Sequence, residues 1–416
     1  MKIVTSLAFI TISLVPFYVI RCRSFEWCAA PIPFTLLEVL IVVTFFTWIF
    51  WAASLVRQNK DTISGLTSRL KNPLILTLLV FLFFGSISVF VSSDLQGGLG
   101  IWKAYFIEGA MIYLVVSDLS IRRKDYFWVL GALFLSGLLI SLASFANFTQ
   151  KISEVGIHES IKLRISGVYE FSNAVPLYLG PIVGIAVGTI ISQRSNVKHR
   201  IIFYLALACL ISGLGAIFLS HSKGGIVGVL VILSVWFGYA IYKFLSVKFK
   251  RYFIYFIYAS TILYFLVSAV IFFNVDNLVP RKRTSSDSLI NRYCIWQGTR
   301  DLLIVKPITG SGLNGFHIDY AQYKTCLKND YQYPHNILLT FWVEIGLFGM
   351  LSYLWLSYVF LVTNKKGRDE LLSVGLLSAM VYIFIHGLVD VPFFKNDLSI
   401  QFWILAALVT VNLKIR

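Results

Sequence analysis

Apolar residues run along almost the whole chain in stretches of about 18 to 23, each long enough to cross roughly 30 Å of hydrocarbon as a helix. Twelve such spans are predicted: Ile3 to Ile20, Phe34 to Val56, Leu74 to Val91, Leu99 to Val116, Tyr126 to Phe148, Ala174 to Ile191, Ile201 to Leu219, Gly224 to Tyr242, Tyr252 to Phe273, Asn336 to Val362, Leu371 to Val389 and Leu398 to Leu413. The polar connections are short, with two exceptions. One runs from Thr149 to Asn173, and the other, from Asn274 to His335, has 62 residues. Within the longer one, Leu289, Tyr293, Trp296 and Leu303 repeat at helical spacing, as in a helix lying in the membrane interface on aromatic anchors. The pattern reads as a single all-α integral membrane domain over residues 1–416, with 274–335 as its long extramembrane loop.

Composition agrees: with 57% hydrophobic and 13% charged residues, a soluble surface cannot be covered. A net charge of +16 would suggest nucleic acid in a soluble protein, but here its placement reports topology, and no nucleic-acid partner is expected. Alternate connections are basic: Arg57/Lys60/Arg69/Lys71, Arg122/Arg123/Lys124, Arg194/Lys198/Arg200, Lys243/Lys248/Lys250/Arg251 and Lys365/Lys366/Arg368. With Lys2, Lys414 and Arg416 they hold 20 of the 36 basic residues. The positive-inside rule makes that side cytoplasmic, so both termini are expected inside and both long loops outside. The first span begins like a signal peptide after Lys2, but Arg21, Cys22 and Arg23 follow it with no small-x-small cleavage site, so a retained helix is expected.

The five cysteines show no thiolate metal spacing. Cys294 and Cys326 share the long outer loop, where a disulfide would persist. Paired carboxylates for an oxygen-ligated ion are missing from the first outer loops, where Glu26 and Asp94 stand alone, and there is no P-loop, HExxH or GxSxG. Neither a catalytic metal nor a cofactor is expected.

What the outer face offers is cations, histidine and aromatics. Ser222-Lys223-Gly224 opens the eighth span; Lys223 reads either as a snorkelling anchor or as an ammonium that meets a lipid-linked phosphate. Arg292, on the loop helix with Tyr293, Trp296 and Arg300, either decorates that helix or grips a diphosphate with its fork. Tyr333-Pro334-His335-Asn336 closes the loop and places His335 at the outer end of the tenth span, where a lone histidine is more often a structural hydrogen-bonder than a base. Glu344-Ile345-Gly346-Leu347-Phe348-Gly349 follows inside that span. His386 and Asp390, four apart at the outer end of the eleventh span, either orient His335 or pair locally. Lys103 and Glu108 either line a lipid entry or have a helix-stabilising or buried-paired role, while His158 and His317 have no distinguishing company.

The combination resembles the O-antigen ligase and polymerase superfamily. The shared pieces are Arg292 and Trp296 (R-x-x-x-W), Gly310, Gly312 and Phe316 (G-x-G-x-x-x-F), Pro334, His335, Asn336 and Leu339 (P-H-N-x-x-L), and Glu344, Gly346, Leu347 and Gly349 (E-x-G-L-x-G). Arg164-Ile165-Ser166-Gly167 with Asn173 resembles the family's segment before the sixth span; Lys223 stands where the family usually carries an arginine. The resemblance implies a GT-C-like fold and a metal-independent, inverting transfer of a glycan from undecaprenyl pyrophosphate in the bacterial inner membrane. The acceptor would be lipid A-core or, for a polymerase, a second lipid-linked glycan at the periplasmic face. It further implies His335, Arg292 and Lys223 as catalytic groups, with Arg164, Arg300, Asn336, Trp296 and Tyr293 binding substrate and His386, Asp390 and Glu344 supporting them. A transporter or flippase is the competing class, disfavoured because few ionisable residues (Glu38, Glu108, Glu344) lie deep in the spans.

Overall fold

The computed structural model describes residues 1–20, 34–156, 163–193, 199–245, 288–324 and 330–414. In chain order its helices are α1 (Lys2–Ser13), α2 (Leu36–Arg57), α3 (Ile63–Leu70), α4 (Pro73–Phe90), α5 (Leu95–Ile101), α6 (Glu108–Arg123), α7 (Phe127–Val155), α8 (Ala174–Gln193), α9 (Arg200–Leu219), α10 (Lys223–Phe244), α11 (Ser288–Val305), α12 (Phe316–Asp319), α13 (Ile337–Asn364), α14 (Glu370–His386) and α15 (Asn396–Lys414). A π-helical stretch, Trp102–Ile107, joins α5 to α6. Among the described residues nine helical segments are long and apolar enough to cross a membrane, and α1 and α14 are shorter apolar helices. The protein is an all-α polytopic membrane protein. The expected span Tyr252 to Phe273 lies outside the described residues, as do Glu26, His158 and Cys326.

Helix starts follow local capping chemistry. Before α2, Thr35 Oγ1 accepts from the Glu38 amide at 3.2 Å while Glu38 accepts from the Thr35 amide at 3.3 Å, a reciprocal box. Asn72 caps α4 ahead of Pro73, Ser222 caps α10, and Asn336 caps α13 by accepting from the amides of Leu338 and Leu339. The first span departs from expectation: α1 stops at Ser13 and a 3₁₀ turn, Val15–Val19, takes over. Pro16 is the reason, since it has no N–H to donate and its ring clashes with the carbonyl four residues back. Helix α3, capped by Thr62, is too short and polar for a search by apolar runs to find.

Helices α8 and α15 are buried over nearly their whole length, whereas α2, α9 and α10 keep broad apolar faces exposed, as lipid-facing helices do. Helix α8 packs against α14, α9 and α7, and α15 against α6. The polar side chains of α15 find partners there: Gln401 donates to Tyr178 O at 2.9 Å, Trp403 to Tyr105 O at 2.9 Å, and Asp397 accepts from Tyr169 at 2.8 Å. Unpaired in hydrocarbon these groups would be expensive; bonded between helices they fix the register of the bundle.

The segment 308–314, which follows α11, is sewn into α13. That helix breaks at Gly346 (φ +75°, ψ 175°), and across the break Ser311 N donates to Val343 O at 2.7 Å and Leu347 N to Ile308 O at 2.9 Å. A Cβ on Gly310 would lie 2.4 Å from Trp342 O, and one on Gly346 would lie 2.5 Å from Ile308 O, so the two glycines let the backbones touch. Glu344, fully buried, accepts from the Asn314 amide at 2.6 Å, and Asn314 Nδ2 donates to Asp94 at 2.7 Å. One glycine of each motif, Gly310 and Gly346, is thus accounted for by this backbone exchange, while Gly312 lies against Ser92 and Ser88 instead. Gly346→Ala adds strain of about 1 to 3 kcal/mol at a backbone angle nearly closed to other residues, beyond the steric clash. Its midpoint of heat unfolding in detergent should fall clearly below that of the parent protein; an unchanged midpoint would show that the break is not needed.

Candidate active site

The turn that leads into α13 is held from both sides. Trp296 on α11 donates its indole N–H to Pro334 O at 2.9 Å. On the opposite side, Asn336 Nδ2 donates to Leu388 O at 3.1 Å and Ile337 N to Gly387 O at 2.6 Å. His335 between them adopts a left-handed backbone, φ +53°, uncommon for a non-glycine residue. Its Nδ1 lies 3.3 Å from Asp390 Oδ1. Asp390 is buried, accepts from the Val391 amide on the same oxygen at 3.0 Å, and takes a 2.9 Å hydrogen bond from Asn173 Nδ2 on the other. Burial alone would raise its carboxyl, but the His335 hydrogen bond and the nearby charges of His335, His386 and Arg292 hold it well below the usual carboxylate range. An ionised Asp390 can only accept, so the proton between them sits on His335 Nδ1, and the tautomer this selects for an uncharged ring has its lone pair on Nε2.

Two guanidinium groups approach this carboxylate. Arg292 donates from Nε to Val389 O at 2.6 Å, beside Asp390 in sequence. Arg164 donates from Nε to Ser220 O at 3.0 Å, and its Nη2 donates to the side-chain carbonyl of Asn173. The Arg164 segment is itself pinned, because Lys151 donates to Arg164 O, Ile165 N to Leu219 O at 3.3 Å, and Asn147 accepts from Ser166 N at 3.2 Å. Partial burial and then the repulsion of Arg292 lower the proton affinity of Arg164, with Asp390 opposing them. The two cations therefore share one electrostatic neighbourhood.

Lys223 is the exposed first residue of α10. The following Gly224 sits against His386, where a Cβ would lie 2.8 Å from Nε2. His386 is buried and turns away from His335: its Nδ1 lies 3.2 Å from the Tyr382 hydroxyl, which donates to Pro176 O at 2.8 Å. Of the expected pair His386 and Asp390, only Asp390 touches His335. His386 instead underlies the turn that presents Lys223.

Other expected residues make their contacts outside the chain of hydrogen bonds from Arg164 to His335. Arg300 pairs with its neighbour Asp301 at 2.9 Å, Tyr293 meets Trp296 edge to face with ring centroids 5.6 Å apart, and Glu344 holds the sewn loop. Lys103 pairs closely with Glu38, at 3.1 Å, and reaches Glu108, the partner weighed from the sequence, only at 4.0 Å. Cys294 is disulfide-bonded, while Cys326 lies outside the described residues. Sequence reasoning quoted Asn173 only as part of a motif and missed its place between Arg164 and Asp390; it also missed Tyr331, whose ring stands at 85° to that of His335 with centroids 6.1 Å apart. The fixed spacing of Asn173 after Arg164 was the signal available for the first, and none marked the second.

Residues 207–354 match the family model described as O-antigen ligase. A protein of Rickettsia bellii (strain RML369-C) named "Putative polysaccharide ligase" is 24% identical over 216 residues, which are 50% of this chain and 49% of that relative. The chain thus spans about half the length of the relative it matches. The matched domain runs from α9 through the outer loop into α13 and includes Lys223, Arg292 and His335. In that matched part, which holds all three of these residues, the chain is similar to the O-antigen ligase family.

Proposed function

We propose that the protein moves a glycan from undecaprenyl pyrophosphate to a sugar hydroxyl at the periplasmic face of the bacterial inner membrane, with inversion. The observation that carries this reading is the chain Arg164–Asn173–Asp390–His335, with Arg292 bonded next to it at Val389. It brings a proton acceptor and two guanidinium groups to one place, as departure of a diphosphate requires. The acceptor hydroxyl gives its proton to His335 Nε2 as its oxygen attacks the anomeric carbon. The bond from that carbon to the diphosphate oxygen breaks, and the electron pair leaves with the diphosphate. Arg292, Arg164 and Lys223 meet the charge that develops there. Asn336, with its side chain spent on capping α13 and on Leu388, holds the turn and leaves sugar contacts to Trp296, Tyr293 and Tyr331.

The lipid A-core is the favoured acceptor, because the matching family model and the relative's name both say ligase. A polymerase would instead label a second carrier-linked glycan, and product analysis on a gel with both acceptors present separates the two.

No divalent ion is needed in this scheme. Among the described residues, three carboxylates of that side are already engaged: Asp94 by Gly97 N and Asn314, Asp319 by Ser93 and Lys306, and Asp390 as described. Glycan transfer by the purified protein should therefore keep its rate in excess chelator. A loss restored by magnesium or manganese would refute the scheme.

A further inference from the structure

Arg164 and Asp390 carry opposite charges in one cluster, yet each bonds to Asn173. An arginine beside a buried carboxylate ordinarily forms a two-pronged ion pair with it. Such a pair here would neutralise the guanidinium and occupy the oxygen atoms that now serve His335. Asn173 separates them: its carbonyl accepts from Arg164 and its amide donates to Asp390 at 2.9 Å, so each ion is satisfied by a neutral group. A primary amide combines an acceptor and two donors without charge, which an aspartate or a serine in its place does not. The residue is also firmly placed, since it precedes α8 and its own carbonyl accepts from Leu177 N at 3.3 Å.

We infer that Asn173 is a positioning residue, a neutral spacer that keeps the exposed Arg164 available to the donor diphosphate and Asp390 available to His335. The inference rests on the glycan-transfer reading for the identity of the anion. Without the spacer, Arg164 collapses onto Asp390, and both the anion site and the support of His335 are lost together. Removing the charge of Asp390 then releases Arg164 again.

The test uses the full-length protein in detergent and geranylgeranyl diphosphate, a lipid diphosphate with no sugar, as the probe. Asn173→Ala should weaken its binding about tenfold, the worth of one charge-assisted hydrogen bond. Adding Asp390→Asn to that variant should restore most of the loss, whereas Asp390→Asn alone should change affinity by less than about threefold. A merely structural role for Asn173 gives no such rescue. Unchanged binding by Asn173→Ala, or a double variant no tighter than it, overturns the inference; so does an equal gain from Asp390→Asn in both backgrounds. If Asn173→Ala does not purify as a monodisperse protein, Asn173→Ser carries the same comparison. Arg292→Ala and Arg164→Ala are measured alongside. If neither weakens binding, the diphosphate site itself is wrong, an outcome separate from failure of the spacer.

Discussion

Replacing His335 by alanine should lower the turnover rate about 10²- to 10⁴-fold, the usual loss when a general base is removed. Donor affinity should stay close to normal, because the groups assigned to the diphosphate are Arg292, Arg164 and Lys223. Initial rates of transfer from an undecaprenyl pyrophosphate glycan, with purified variant and parent at equal concentration, give both quantities. Near-normal turnover would remove His335 from the chemistry. Asp390→Asn should show a smaller loss of the same kind, since an amide at that position still meets the ring but no longer fixes which nitrogen carries the proton. Because the folded protein holds the Asp390 carboxyl below its ordinary value, Asp390 stays ionised down to acid pH. The stability it contributes is present above the ordinary carboxylate range and is lost as the pH falls through its lowered value. A change in rate between about pH 5 and 8 therefore has to come from another group.

Arg292→Ala should cost about 10²- to 10³-fold in turnover, as removal of a group aimed at a developing negative charge typically does. Arg292→Lys is the more telling variant. Lysine keeps the charge, but it has no planar fork with which to hold Val389 O from Nε and still present a flat edge to a phosphate. A lysine variant close to alanine in rate assigns the effect to that geometry. One close to the parent assigns it to charge alone, and equal rates for all three proteins would make Arg292 a loop-fixing residue with no part in the reaction. Single-turnover measurements with saturating donor keep the comparison on the chemical step.

Much of the architecture was legible in the order of residues, because lipid forces every crossing segment to satisfy its own backbone and so to be a long apolar helix. The loop helix over Ser288–Val305 was likewise visible from its apolar spacing. Two interruptions were not. Pro16 ends α1 inside an unbroken apolar run, and Gly346 breaks α13 in a way that a helical pattern hides, since the missing bonds are supplied by Ile308 and Ser311, some 35 residues earlier in sequence. At the site, the residue types could be read, whereas their pairing could not. Nothing in the local sequence distinguishes Asp390, which reaches His335, from His386, which points to Tyr382; that choice is made by how α14 ends against α8 and α13.

The insertion of Ile308 to Asn314 into the gap of α13 bears on how new specificities are to be engineered or have arisen. A segment whose amides complete a membrane helix cannot be exchanged as a cassette, because a foreign sequence there would leave bare carbonyls in a greasy interior. Transplants between relatives should keep 306–315 and the 343–347 break together as one inherited unit. Changes meant to leave that helix intact then have to be made outside 306–315 and 343–347.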